Sequence, residues 1–285
     1  MEIGVLVFNL IKKKLLNAGL TESLVHLNGH DIHYYSKQSD KETLMLVHGL
    51  GVSGELQWCK LVKHLAPKYK IILVNLLGFG ESKAANGKKY TLVDQVEMLQ
   101  TLTEHLGITQ AKVAGISYGG LVASEFAEVK PNMVSELVLI DTPTKFLDLD
   151  GLSSFLNANG VQSVKHFFVP KDFTFINKQL ALANFKKMWL PNFVTKSFYK
   201  VFCKPYLANW EIIVNDLLTK YEDLKSKDYK FNGKTLIIWG VQDQLIPIDV
   251  GVKLNHHYSN ASLVKIEHCG HIPIIEQAKE CKKYF

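Results

Sequence analysis

Residues 113–120 read VAGISYGG, and the fold turns on how this stretch is read. Gly115, Ser117 and Gly119 make a Gly-x-Ser-x-Gly, with an apolar run before it and a helix-compatible run after it. This is the pattern of a strand–turn–helix elbow so tight that the serine adopts a strained backbone conformation. Glycines two residues to either side remove the Cβ atoms that would clash, and the hydroxyl stands clear at the sheet edge. The N–H of Tyr118 opens the helix and points at any developing oxyanion. Alone the pattern is weak: with Gly and Ser each near 7% of residues, it arises by chance in roughly one chain in ten of this length. Its neighbours must carry the reading.

Those neighbours occur in a definite order. TLMLVHGL (43–50) is an apolar strand ending in His48-Gly49, and KIILVNLLGFGES (70–82) is another, running into a Gly-rich loop. LIIWGVQDQLIP (236–247) is a strand followed by a turn that carries Asp243. LVKIEHCGHIPIIEQ (263–277) is a strand followed by a loop that carries His271. Serine, aspartate and histidine therefore follow one another along the chain, each at the end of a strand.

With these motifs the chain resembles the α/β-hydrolase-fold serine hydrolases over about residues 20–285. The resemblance rests on HGLGVSG (48–54), NLLGFGES (75–82), GISYGG (115–120), WGVQDQLIP (239–247) and CGHIPIIE (269–276). The opening LLNAGLTESLVHLNGHDIHYY (15–35) is similar to the entry segment of bacterial lipases and monoacylglycerol-lipase-like members. The resemblance implies a mostly parallel eight-stranded sheet with helices on both faces and a helical cap inserted after the sixth strand. It implies Ser117 as nucleophile, His271 as base and Asp243 as the acid that orients it, with backbone N–H groups of Leu50 and Tyr118 as the oxyanion hole. Two positions depart from the family pattern: Asn75, where Asp is usual, and Ala278, where many relatives carry Pro. Asn makes the same kind of side-chain-to-backbone turn, so a change of local charge is expected at position 75.

Competing residues are few. His268 is the nearest rival base but belongs to the end of its strand, and Asp141, which ends the strand at 134–140, is the rival acid. His48 is expected to order the oxyanion loop. Cys269 reads as a small buried residue of the histidine loop. Epoxide hydrolases and haloalkane dehalogenases of this fold need an aspartate where Ser117 stands and are excluded. Carbon–carbon bond hydrolases share the triad, but their pattern includes an active-site arginine, and this chain has no arginine at all. Acyl transfer and perhydrolysis use the same residues and stay open, as does a non-catalytic ligand-binding receptor. The expected activity is hydrolysis of apolar acyl esters, monoacylglycerol for example, without a metal or other cofactor.

The 285 residues carry a net charge of +6, all of the basic residues being Lys. Without the guanidinium fork and without an aromatic-interleaved basic tract, nucleic-acid binding is not expected. Four cysteines without CxxC or metal spacing read as free thiols, which points to the cytoplasm. Between 143 and 233 the strand–helix rhythm gives way to helices and polar turns holding eleven of the fifteen Phe. A subset of these is expected to line an apolar pocket. The organisation is thus an N-terminal amphipathic segment (1–20), a core (21–142 and 234–285) and a cap (143–233).

The segment EIGVLVFNLIKKKLL is too short to span a bilayer and is broken by Asn9. Read as a helix, Ile3, Leu6, Val7, Leu10 and Ile11 share a face beside Lys12–Lys14. Two uses fit equally: an interfacial anchor on an anionic membrane, or a flap packed on the protein's own apolar surface.

Overall fold

The computed structural model describes residues 2–86 and 89–285. Its eight strands are β1 (Thr21–Leu27), β2 (His30–Lys37), β3 (Thr43–Val47), β4 (Lys70–Val74), β5 (Ala111–Ile116), β6 (Val134–Ile140), β7 (Lys234–Gly240) and β8 (Ala261–Ile266). They form one sheet in the order β1-β2-β4-β3-β5-β6-β7-β8. The hairpin β1–β2 and the β2–β4 pair are antiparallel, and all pairs from β4 to β8 are parallel. Asn28 (φ 50°) and Gly29 (φ 79°) make the hairpin turn, where two positive φ values match the twist of the flanking strands.

A parallel sheet is covered on both sides, so its strands are apolar on both faces. Met45, Val47, Ile72, Val74, Val113, Leu137 and Ile237 enter one core. Their alternates Leu44, Leu46, Ile71, Leu73, Ala114, Val138 and Ile238 enter the other. The first face is covered by α3 (Leu92–His105), α4 (Tyr118–Val129) and α11 (Ile248–His257); the second by α1 (Ile3–Asn17), α2 (Gly54–Leu65), α12 (Pro273–Glu276) and α13 (Ala278–Cys281). Thr91 and Asp94 form the reciprocal capping box that starts α3, as their spacing implies.

Between β6 and β7 the chain forms α5 (Leu149–Ala158), α6 (Val164–Phe168), α7 (Ile176–Ala183), α8 (Asn192–Phe198), α9 (Leu207–Thr219) and α10 (Tyr221–Ser226). These helices share the first core: Leu156, Phe167, Trp210 and Ile213 are buried with the strand residues, and Trp210 stacks on Phe79 at 5.5 Å. Polar ties also hold them. Asp216 accepts the N–H of Leu92 at 2.9 Å, and buried Glu125 accepts from Lys227 and from the Tyr229 hydroxyl.

The N-terminal segment is helical and packs inward by one side only. Gly4, Phe8, Ile11 and Leu15 face α2 and α8: the Gly4 N–H donates to Ser197 Oγ at 2.8 Å, the Phe8 and Phe202 rings lie 5.9 Å apart, and Leu15 is buried. Ile11, three residues after Phe8 and four before Leu15, is half-buried, whereas Leu6 and Leu10 are exposed.

Candidate active site

Every group of interest stands at the C-terminal end of a strand, where an open parallel sheet leaves a crevice. At the end of β5, Ser117 has φ 52° and ψ −125°, a left-handed conformation that an L-residue holds only under constraint. The constraint is visible in its neighbours. A Cβ on Gly115 would lie 2.2 Å from the Gly119 carbonyl oxygen, and one on Gly119 would lie 2.3 Å from the His48 carbonyl oxygen. The turn closes only because both are glycine. The Ser117 N–H donates to the Ile140 carbonyl at 2.8 Å, which ties the elbow to β6.

The turn after β7 brings Asp243 beneath His271, and the loop after β8 brings His271 beside Ser117. His271 Nε2 is 3.0 Å from Ser117 Oγ, and His271 Nδ1 is 2.7 Å from Asp243 Oδ2. The other oxygen of Asp243 accepts the N–H groups of Leu245 (2.8 Å) and Ile246 (3.0 Å), so the carboxylate is held at both ends. With Asp243 accepting at Nδ1, that nitrogen carries the proton and Nε2 is left to accept the serine proton. All three side chains are buried.

Leu50 and Tyr118 both border the cavity above Ser117. Among the described residues no acceptor meets the N–H of either, whereas the N–H of Gly49 is taken by Gln57 Oε1 at 2.6 Å. His48 orders this loop. Its Nε2 accepts the Leu76 N–H at 3.0 Å, which leaves Nδ1–H to donate to the Gly49 carbonyl at 2.7 Å. Complete burial lowers its pKa to about 4, so it stays neutral and is no base for Ser117. Asn75 also serves the loop: its Oδ1 accepts the Gly54 N–H at 2.6 Å and its amide donates to buried Glu55 at 2.9 Å.

The rival residues lie elsewhere or act otherwise. His268 is exposed, with φ 54°, in the turn that follows β8. Asp141 is fully buried behind the site with φ 41°, and its Oδ1 accepts the Gly240 N–H at 2.9 Å. Burial, and then the charge of neighbouring Asp243, push its carboxyl well above the usual range. Burial likewise pushes the Cys269 thiol up, with Glu276 nearby adding to the effect, so it is an inert thiol. None of the four cysteines is bonded to another.

Two supports of His271 had no role in the sequence reading. Its backbone N–H donates to the carbonyl of Ala183, the last residue of α7, at 2.7 Å. Glu276 accepts the N–H of Gly270 at 2.9 Å and that of Phe185 at 2.8 Å, joining the histidine loop to the segment after α7. The motif CGHIPIIE contained Glu276, but its partners are close only in space. Glu22, His33 and Glu81 bring potential metal-ligand atoms within 4.8 Å of one another. Glu22, however, is already held by Lys12, Tyr35 and His33, and Lys12 places a positive charge at the spot.

Ser117 and His271 open into a cavity of about 870 Å³, its mouth included, between the sheet and the inserted helices. Leucine is the commonest residue of the wall, with Leu152, Leu156, Leu217 and Leu218 among ten that line it. Of the eleven phenylalanines between 143 and 233, Phe167 and Phe168 line it; others pack elsewhere, as Phe198 and Phe202 do against each other at 5.0 Å. Lys145 is the one Lys, Asp or Glu among the described wall residues, and it is paired with Asp228 at 3.0 Å.

An eight-stranded, mostly parallel sheet with a serine elbow after β5 and a histidine paired to a buried aspartate defines a hydrolase of the α/β-hydrolase class. The chain belongs to the alpha/beta hydrolase fold family, whose model matches residues 42–278. It is 25% identical over 251 residues to 2-hydroxy-6-oxononadienedioate/2-hydroxy-6-oxononatrienedioate hydrolase 1 of Pseudomonas putida, covering 85% of each chain. It is 26% identical over 251 residues to lipase 1 of Psychrobacter immobilis, covering 84% of this chain and 74% of that one. A solved membrane phospholipase A, described as a bacterial virulence factor, matches with a TM-score of 0.84, 98% of this chain and 89% of that one being covered. Its identity of 21% carries the fold alone.

Proposed function

We propose that this chain hydrolyses carboxylic esters with apolar acyl groups, monoacylglycerols among them, through an acyl-enzyme on Ser117. The observation that carries the reading is the continuous chain Ser117–His271–Asp243 opening into a leucine-walled cavity. His271 takes the Ser117 proton as Oγ attacks the ester carbonyl, and Asp243 stabilises the imidazolium that forms. The N–H groups of Leu50 and Tyr118 receive the tetrahedral oxyanion; one such donor is worth about 10² to 10³ in turnover. His271 then protonates the departing alcohol, and a water activated by the same imidazole releases the acid.

Relatives of similar identity include lipases and hydrolases of dienedioates, so bond type is the open point. A dioate carries two carboxylates and needs fixed positive charge in its pocket. Here Lys145 is already paired with Asp228, and no arginine exists to replace it. An apolar acyl chain asks only for apolar wall. The test is a series of p-nitrophenyl esters of increasing acyl length. Each buried methylene adds up to about 0.8 kcal/mol of transition-state binding, so kcat/KM should climb over a medium range and then fall once the cavity is full. A flat profile, or turnover of a dienedioate and of no ester, overturns the reading.

A further inference from the structure

We propose that α1, together with the α8 region beside it, docks the protein on an anionic lipid surface. The inference does not depend on the chemistry assigned to Ser117. Helix α1 carries two apolar stripes, centred about 120° apart at 3.6 residues per turn. The inner one, Gly4, Phe8, Ile11 and Leu15, is fastened to α2 and α8, and a Cβ on Gly4 would lie 3.0 Å from the Ser197 carbonyl oxygen. Glu2 pairs with Lys200 and Lys12 with Glu22, so both ends of the helix are pinned to the body.

The outer stripe is Ile3, Leu6, Val7 and Leu10, spaced i, i+3, i+4, i+7, with 36%, 46%, 42% and 52% of their surfaces exposed. A helix that merely clipped onto the core would carry polar residues there; one with a second apolar stripe faces a second apolar medium. The stripe ends in exposed Lys13 and Lys14, one turn beyond Leu10. α8 continues the surface. Ser197 meets Gly4, and one turn earlier on the same side of α8 is Phe193, 62% exposed. The loop before α8 exposes Met188 and, at 77%, Trp189.

The charges decide the occupant. On α1 and on residues 185–200 the exposed ionisable side chains are Lys13, Lys14, Lys186, Lys187, Lys196 and Lys200, and the acid these segments carry, Glu2, is paired with Lys200; the exposed acids Glu81 and Asp172 belong to neighbouring segments. Apolar side chains ringed by lysines, with an indole at the rim, match the interfacial layer of a bilayer bearing acidic headgroups. No helix among the described residues is long and apolar enough to cross a membrane. The helix thus lies in the surface plane, its inner stripe still on the protein.

Deleting α1 would strip the inner stripe from α2 and α8 and so test folding, not docking. Point changes on the outer stripe avoid this. The full chain, Leu6→Ser/Leu10→Ser and Lys13→Glu/Lys14→Glu should be sedimented at low salt with vesicles of equimolar phosphatidylcholine and phosphatidylglycerol, and with pure phosphatidylcholine vesicles. Melting curves should check that each variant is folded. The proposal expects binding of the full chain to the anionic vesicles, weakened about tenfold or more in each double variant and by added salt. It also expects a blue shift of indole emission on binding that Trp189→Ser removes. Equal binding by all three proteins overturns it, as does no binding to anionic vesicles. If Leu6→Ser/Leu10→Ser instead turns a dimer into a monomer without altering vesicle binding, the stripe is a self-association face and the proposal is wrong.

Discussion

At Asp141 and Asp243 two buried carboxyls stand side by side, and their surroundings divide the roles. Asp243 accepts two backbone N–H groups and the imidazole; Asp141 accepts one N–H and lies deeper, beside the Asp243 carboxylate. Asp141 is thus the member that keeps its proton. Asp243→Asn should lower ester turnover by roughly 10⁴, because the amide no longer holds the needed tautomer. Asp141→Asn should leave turnover near wild type, the amide being close in shape to the protonated acid. Its stability effect has a definite sign. A carboxyl whose folded pKa lies above its unfolded value of about 3.9 is protonated in the folded state where the unfolded chain has lost the proton. It therefore costs stability that grows as pH rises from about 4 toward the folded value. Asp141→Asn lacks this cost, so its melting temperature relative to wild type should rise between pH 4 and pH 7. A variant that melts lower at pH 7 than at pH 4, relative to wild type, would show that Asp141 is ionised. The reverse ranking in turnover would make Asp141 the triad acid.

At the scale of elements, the packing of α4 on β3 leaves no room at the elbow. Gly119→Ala puts a methyl 2.3 Å from the His48 carbonyl oxygen and 2.6 Å from that of Val47, both backbone atoms that cannot swing away. The variant should lose about 3 kcal/mol or more, or fail to accumulate, measured by urea unfolding against wild type. The need for glycine here was readable because it arises within a few residues. The same holds for the strands, whose apolar runs reflect burial on both faces, and for the loops carrying Ser117, Asp243 and His271, each directly after its strand. What escaped the sequence depends on contacts distant along the chain. Ala183 and Glu276 brace His271 across the join between inserted helices and core. The cavity wall has more leucine than phenylalanine because several of the conspicuous phenylalanines, Phe198 and Phe202 among them, pack around α1. Ile11 fits either stripe of α1 by spacing alone; only the position of α8 and α2 decides its side.

For the whole molecule, the inserted helices are not a loose lid. One apolar core runs from the sheet through Leu156, Trp210 and Ile213, and the histidine loop is hydrogen-bonded to the segment that follows α7. The site is therefore assembled before any substrate arrives: Ser117 is under constraint, His271 is oriented, and the N–H groups of Leu50 and Tyr118 meet no acceptor among the described residues. That preorganisation is the central claim, and it predicts a nucleophile reactive without a ligand. The most direct measurement is to treat the resting protein with a fluorophosphonate and locate the adduct by mass spectrometry, in parallel with Ser117→Ala and His271→Ala. The account predicts a single adduct on Ser117, none in Ser117→Ala and slow labelling in His271→Ala, with loss of ester turnover in both variants. Labelling at another residue, or ester turnover unchanged in both variants, would contradict it.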